Sequence, residues 1–247
     1  MSDISQIKKK IREKIWDLME KKNIARFPRP VYGRIPNFIG ADRAAALLRK
    51  QPEWKKFGII FANPDSPQRY VRFFALRDSK KVVMATPRIK KGFILLDPEK
   101  IPEGKYWKAS TIRGAFRYGK IVQPNEIQVD AKITGSVAVD RYGGRVGKGH
   151  GFSDIEYGIL REYNVIGRSE PIITTVHDVQ VVDKIPMITH DMPVDIIVTP
   201  TKVIRTKTNY AKPKGIIWES ISCDKIKEIP ILLELSLIHI SEPTRLG

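Results

Sequence analysis

The feature that most constrains this chain is a series of short apolar runs separated by helical patterns. Residues 57–62, 81–86, 171–176 and 194–198 are nearly continuous in hydrophobic side chains. Runs this short suit strands buried on both faces. Residues 93–96 read as another strand, and 203–206 as an edge strand. Between them lie helical patterns. Residues 41–50 turn around Ala45, Leu47 and Leu48, and the helix after the 63–67 turn has Val71, Phe74, Ala75 and Leu76 as its apolar side. Ser66 is placed to cap that helix and Pro67 to open it. A further helix is expected over 110–118 with Ile112, Ala115 and Phe116 inward, and a loop over 97–106. Strands alternating with helices argue a three-layer α/β/α fold with a mostly parallel, Rossmann-like sheet.

Residues 129–139 carry one strand or two, interrupted at Thr134-Gly135, and begin as the alternating run Val129-Asp130-Ala131-Lys132-Ile133. The stretch Gly143-Gly144-Arg145-Val146-Gly147-Lys148-Gly149-His150-Gly151-Phe152-Ser153-Asp154 follows, and then the helical spacing of Ile155, Ile159, Leu160 and Tyr163. A glycine loop between strand and helix lets the backbone approach a phosphate closely, and the next helix adds its N-terminal dipole. It is not a Walker loop, because Gly149 and not Ser or Thr follows Lys148; nor does its spacing match the dinucleotide fingerprint. Asp154 stands where a metal-binding carboxylate meets the phosphate. Asp191, in Thr189-His190-Asp191-Met192-Pro193-Val194-Asp195, is placed to complete an Mg²⁺ site with it, since magnesium takes one or two carboxylates and fills its shell with water and phosphate oxygens.

The N-terminal 4–22 segment reads as a helix with a stripe of Ile4, Ile7, Ile11, Ile15, Leu18 and Met19. Lys8 and Arg12, four apart, share one flank of it. Residues 24–40, with Pro28, Pro30 and Pro36, are extended and wrap the domain. Lysine and arginine number 44 against 27 acidic residues, a net charge of +17. That balance suits a polyanionic small substrate or nucleic acid, though the cations are spread along the whole chain. The one cysteine, Cys223, excludes an internal disulfide framework, and a reducing cytoplasm is the expected location. No apolar run is long enough to span a membrane. The four histidines lack metal-ligand spacing, and no Ser-His-Asp elbow is present. From residue 236 the composition changes and reads as a non-native tail, which places a single domain at 1–235.

Three pieces resemble the 5-formyltetrahydrofolate cyclo-ligase family, in the family's order. Lys8-x-x-Ile11-Arg12 is similar to its K-x-x-L-R. The loop 145–154, preceded by Asp140, looks like its G-R-L-G-[RK]-G-x-G-Y-Y-D. Residues 185–195 match its P-x-x-x-H-D-x-P-V-D. The resemblance implies ATP- and Mg²⁺-dependent ring closure of 5-formyltetrahydrofolate to 5,10-methenyltetrahydrofolate, with ADP and phosphate released. It implies that Lys8 and Arg12 hold ATP phosphates, and that Arg145, Gly147, Lys148, Gly149, His150, Gly151 and Phe152 cradle them. Arg145 and Lys148 are then the catalytic cations, and Asp154 and Asp191 the Mg²⁺ ligands. Two features depart from the family. Phe152 and Ser153 stand where it has paired tyrosines, and its substrate-side glutamate has no match in residues 63–70. The segment 27–38 is more like a divergent branch that includes members with an RNA-recognition domain. The alternative is therefore a nucleotide-dependent or RNA-binding protein on the same fold without cyclo-ligase activity.

Overall fold

The structure is a computed structural model and describes residues 3–241. In chain order, helix α1 (Asp3–Lys21) leads into the short antiparallel pair β1 (Ala25–Arg26) and β2 (Asn37–Phe38). Helices α2 (Ala41–Arg49) and α3 (Pro52–Lys56) precede strand β3 (Ile59–Ala62), helix α4 (Arg69–Arg77) and strands β4 (Lys81–Ala85) and β5 (Phe93–Leu96). Next come helices α5 (Tyr106–Ala109) and α6 (Ile112–Tyr118), then strands β6 (Lys120–Val122), β7 (Ala131–Thr134), β8 (Ala138–Asp140) and β9 (Arg145–Val146). Helix α7 (Phe152–Glu162) follows, with strands β10 (Ile172–Thr175), β11 (Val181–Val182), β12 (Ile196–Val198) and β13 (Val203–Arg205). Helices α8 (Cys223–Glu228) and α9 (Pro230–Ser241) come last.

The main sheet has the order β13-β12-β10-β7-β3-β4-β5-β6. Its centre, β12 to β4, is parallel, and the three edge strands β13, β5 and β6 pair antiparallel. The expected three layers are present. Side chains alternate between faces, as a period of two requires. Ile60, Ala62, Val82, Met84, Ala131 and Ile133 point into the core beneath α2 and α4 to α6. Phe61, Val83, Ile172 and Ile197 point into the core beneath α7 and α9. After β3 the chain builds β4 on one side and later returns as β7 on the other. The carboxyl ends of β3 and β7 are thus a topological switch point, where open α/β sheets form their clefts. A second sheet, β11-β8-β9, carries α1, whose Ile15, Trp16 and Met19 are buried beside Val137, Ala138 and Val146. Trp16 Nε1 donates to Arg34 O at 3.0 Å, which fixes the extended 24–40 segment to that helix.

Of the one strand or two expected over 129–139 the structure has two, and the interruption at Thr134-Gly135 divides β7 from β8, which lie in different sheets. Other expectations need correction. The alternation of residue types at 129–133 has no counterpart in burial within β7. All four residues of β7 are buried, because both sheet faces are covered. Ser66 makes no capping bond; Pro67 does occupy the start of the short turn that precedes α4. The 110–118 helix breaks at Ser110, and Thr111 caps α6 by accepting from Gly114 N at 2.9 Å. Phe116 is therefore turned outward and is 44% exposed. Residues 97–106 are not all loop, since 98–100 form a 3₁₀ turn and α5 begins at Tyr106. Residues 236–241 continue α9, and 242–247 lie outside the described residues.

Candidate active site

A cavity of about 1090 Å³ opens at the switch point. Its floor is the end of β3 (Asn63, Pro64, Asp65), the turn after β4 (Thr86, Pro87, Arg88) and Gly135 after β7. One wall is the glycine loop and the start of α7; another is the N-terminal part of α1 with residues 188–191.

The loop is held open by backbone geometry that favours glycine. Gly149 has φ +100° and Gly151, the N-cap of α7, has φ +73°. A Cβ at Gly149 would meet Arg12 Cζ at 3.4 Å, so bare backbone there lets the guanidinium close in. Arg12 Nε donates to Gly147 O at 2.7 Å. Burial lowers the Arg12 pKa, opposed by Asp191 and Asp154 and reinforced by Arg145.

Lys8 is buried although the helical stripe gave the inward place to Ile7, which is 38% exposed. The first turns of α1 project past the small sheet and over the cavity, so the flank and not the stripe faces inward. The Lys8 ammonium forms an ion pair with Asp191 Oδ2, which also accepts from Ile188 N at 2.7 Å. Arg145, 4% exposed, donates from Nη2 to Asp154 Oδ1 at 2.7 Å, from Nε to Met192 O and from Nη1 to Gly135 O. Met192 N also reaches Asp154 Oδ1, at 3.2 Å. Lys148 Nζ lies 3.5 Å from Asp65 Oδ1. The sequence-predicted residues Lys8, Arg12, Arg145, Gly147, Lys148, Gly149, His150, Gly151, Phe152, Asp154 and Asp191 thus all line one cavity. Helix α1 and Asp191 meet across 183 positions of chain.

Sequence reasoning missed a second group. Lys132 is fully buried on the α7 face of β7 and pairs with Glu156 Oε2 at 3.1 Å. Asn63 Nδ2 donates to the same oxygen at 2.6 Å, and the ammonium lies 4.1 Å from the Phe61 ring centroid. Burial lowers the Lys132 pKa, with Glu156 pulling it back. Asn63 and Glu156 line the cavity floor. Ser153 sits above them, its Oγ 2.9 Å from Thr134 Oγ1. The run Ala131-Lys132-Ile133 carried the signal, because a lysine there faces a covered sheet.

The third missed element lies beyond residue 200. Lys225 of α8 donates to His150 O and stands 5.6 Å from the Phe152 ring centroid. Glu228 of the same helix pairs with Arg88 at 3.2 Å and with Lys90 at 3.9 Å. The cations of the cavity then fall into two classes. Lys8, Arg88, Arg145 and Lys148 each face a carboxylate. Among the described residues, the side chains of Arg12 and Lys225 bond only to loop carbonyls. Those two charges are free to meet an anion.

The family model described as the 5-formyltetrahydrofolate cyclo-ligase family matches residues 4–200. A methenyltetrahydrofolate synthase domain-containing protein of Bos taurus is 42% identical over 234 residues, which cover 92% of this chain and 61% of that protein. The chain thus spans less than two thirds of such a relative's length. The 5-formyltetrahydrofolate cyclo-ligase of Escherichia coli (strain K12) is 38% identical over 76 residues, 31% of this chain and 39% of that protein. The NMR structure of Aquifex aeolicus 5,10-methenyltetrahydrofolate synthetase superposes with a TM-score of 0.51 at 19% identity, covering 82% of this chain and 94% of that one. That structural likeness shows the three-layer fold. With residues 4–200 matched, the chain belongs to the 5-formyltetrahydrofolate cyclo-ligase family.

Proposed function

We propose that this chain is an ATP- and Mg²⁺-dependent 5-formyltetrahydrofolate cyclo-ligase that forms 5,10-methenyltetrahydrofolate, ADP and phosphate. One observation carries the reading. A glycine loop, a helix N-terminus, the Arg12 guanidinium and two carboxylates converge on a single cavity. Phosphoryl transfer needs positioning and charge neutralisation more than it needs a reactive side chain.

The donor set fits magnesium. Asp154 and Asp191 each bond through one oxygen, Oδ1 and Oδ2 respectively, and their other oxygens accept nothing among the described residues. Two carboxylates suit a magnesium ion that arrives with phosphate oxygens and water, and no cluster of three such ligands is present among the described residues. Bound there, the ion supplies charge neutralisation at the transferring phosphoryl group. The side chains do the rest. Arg12 and the loop N–H groups orient the phosphates. Arg145, buried and fixed by Asp154, Met192 O and Gly135 O, is a rigid cation beneath them. Lys148 exchanges Asp65 for a phosphate oxygen. Phe152 keeps an aromatic face at the loop's end without a phenol hydroxyl.

The test is appearance of the methenyl-folate chromophore from purified protein, ATP, Mg²⁺ and 5-formyltetrahydrofolate. No turnover at high enzyme concentration overturns the reading. The second reading, a nucleotide-dependent or RNA-binding protein without this activity, is favoured by the +17 charge and by Phe152 and Ser153. It expects RNA retention that weakens steeply with salt, because phosphate contacts release counterions.

A further inference from the structure

Lys225 belongs to no part of the chain that the family match covers, which ends at residue 200. Helix α8 nevertheless reaches back across the cavity mouth. Its Lys225 end rests on the glycine loop, and its Glu228 end on Arg88 and Lys90 in the turn after β4. The ammonium lies within 3.3 Å of the place a Cβ would take on Gly151. That is the N-cap of α7, where the unsatisfied N–H groups of the helix begin.

Arg12 and Lys225 treat the loop alike. Arg12 donates to Gly147 O and Lys225 to His150 O, three residues further on, and neither makes a direct ion pair among the described residues, although Asp191 and Asp154 act on Arg12 from further off. Two cations without direct ion pairs among the described residues thus bracket the segment whose backbone is shaped for an anion. His150 lies between them, and its pKa is lowered by burial first and then by Lys148, Lys225, Arg88 and Arg12. An ammonium has three donors, and among the described residues Lys225 uses one, to His150 O. As a compact point charge on a flexible stem, it follows a phosphate oxygen without needing fixed bidentate geometry.

We propose that Lys225 is a phosphate-binding residue of the nucleotide site. Supplied from beyond the family-matched domain, it grips the terminal phosphates of ATP at the opposite end of the glycine loop from Arg12. The proposal rests on the nucleotide reading above and adds to it a residue and a direction. The polyphosphate end of the ligand lies toward α8, beside the Lys225 ammonium that stands 5.6 Å from the Phe152 ring centroid.

The experiment is calorimetric titration of the full chain with ATP, ADP and AMP, each with Mg²⁺, in wild type, Lys225→Met and Lys225→Arg. Methionine keeps an unbranched apolar stem at this position and removes the charge. Lys225→Met is expected to weaken ATP about tenfold, the loss of one hydrogen bond to a charged group, and to leave AMP within about twofold. ADP falls between, and Lys225→Arg keeps most of the ATP affinity. A lysine that only tacks α8 to the loop predicts equal losses for ATP and AMP, and that outcome overturns the proposal. So does unchanged ATP affinity in Lys225→Met. Failure of the wild-type chain to bind ATP at all overturns the nucleotide reading itself, and the proposal with it.

Discussion

Replacing Lys132 with methionine separates an ion pair's charge from its volume. The two side chains are 0% and 6% exposed, so solvent screens them little. In Lys132→Met, Glu156 keeps Asn63 Nδ2 at 2.6 Å as its one donor. Removing one partner of a buried pair costs about 3–5 kcal/mol. The surviving amide bond argues for the lower end, about 3 kcal/mol, which at this chain length lowers the Tm by about 6–12 °C. The double variant Lys132→Met/Glu156→Leu removes both charges. Apolar replacement of a buried pair is often neutral or better, but Asn63, 4% exposed, then loses its acceptor. An orphaned amide costs about 1–3 kcal/mol, so the double variant is expected about 1 kcal/mol below wild type. It is then more stable than either single variant. Denaturant titrations of all four proteins, compared at constant m, measure the coupling. Losses that add within about 0.5 kcal/mol refute the reasoning, for they mean that the two charges do not depend on each other.

The remaining expectations concern the loop. Asp154→Asn weakens Mg·ATP binding in a calorimetric titration, and it also lowers the Tm. It strips a nearly buried Arg145 of the one carboxylate it pairs with among the described residues, and that costs about 2–3 kcal/mol in a partly exposed pair. Gly149→Ala strains a φ of +100° and crowds Arg12 Cζ; the backbone term of about 1–2 kcal/mol appears in the melt, and the displaced guanidinium in a larger loss of ATP affinity. The imidazole of His150 is expected to titrate below its ordinary 6.5, with burial as the main cause, and an NMR titration checks this. The unfolded chain therefore takes that proton first, so this group's contribution to stability is lost as pH falls below 6.5. In Lys225→Met the titration moves upward; no movement would place Lys225 away from the loop.

The strand–helix alternation was legible because buried strands and amphipathic helices leave different periods. The loop was legible because Gly147, Gly149 and Gly151 answer to backbone geometry, and Lys8, Arg12 and Asp191 because they keep the family's spacing. Lys132 was not. Its place after Asp130-Ala131 gives the same pattern as a half-exposed strand, and only α7 lying over it makes the site dry. Asn63 and Glu156 were missed for the same reason. They are 93 positions apart and are joined by the crossover from β7 through the small sheet. Lys225 lay outside any motif, in a helix of six residues that sets one ammonium on a distant carbonyl and one carboxylate on Arg88 and Lys90.

The contact between Lys8 and Asp191 also says when in its own life the molecule becomes competent. A site half on the first helix and half on a turn 183 positions later does not exist on a nascent chain until both ends have been synthesised. Closing so long a loop is slow relative to local helix formation. The same geometry makes α1 a unit whose fraying from the small sheet erases the site while the eight-stranded sheet stays folded. Competence is then governed by the local opening free energy of one N-terminal helix, and hydrogen exchange at the α1 amides reads that quantity directly.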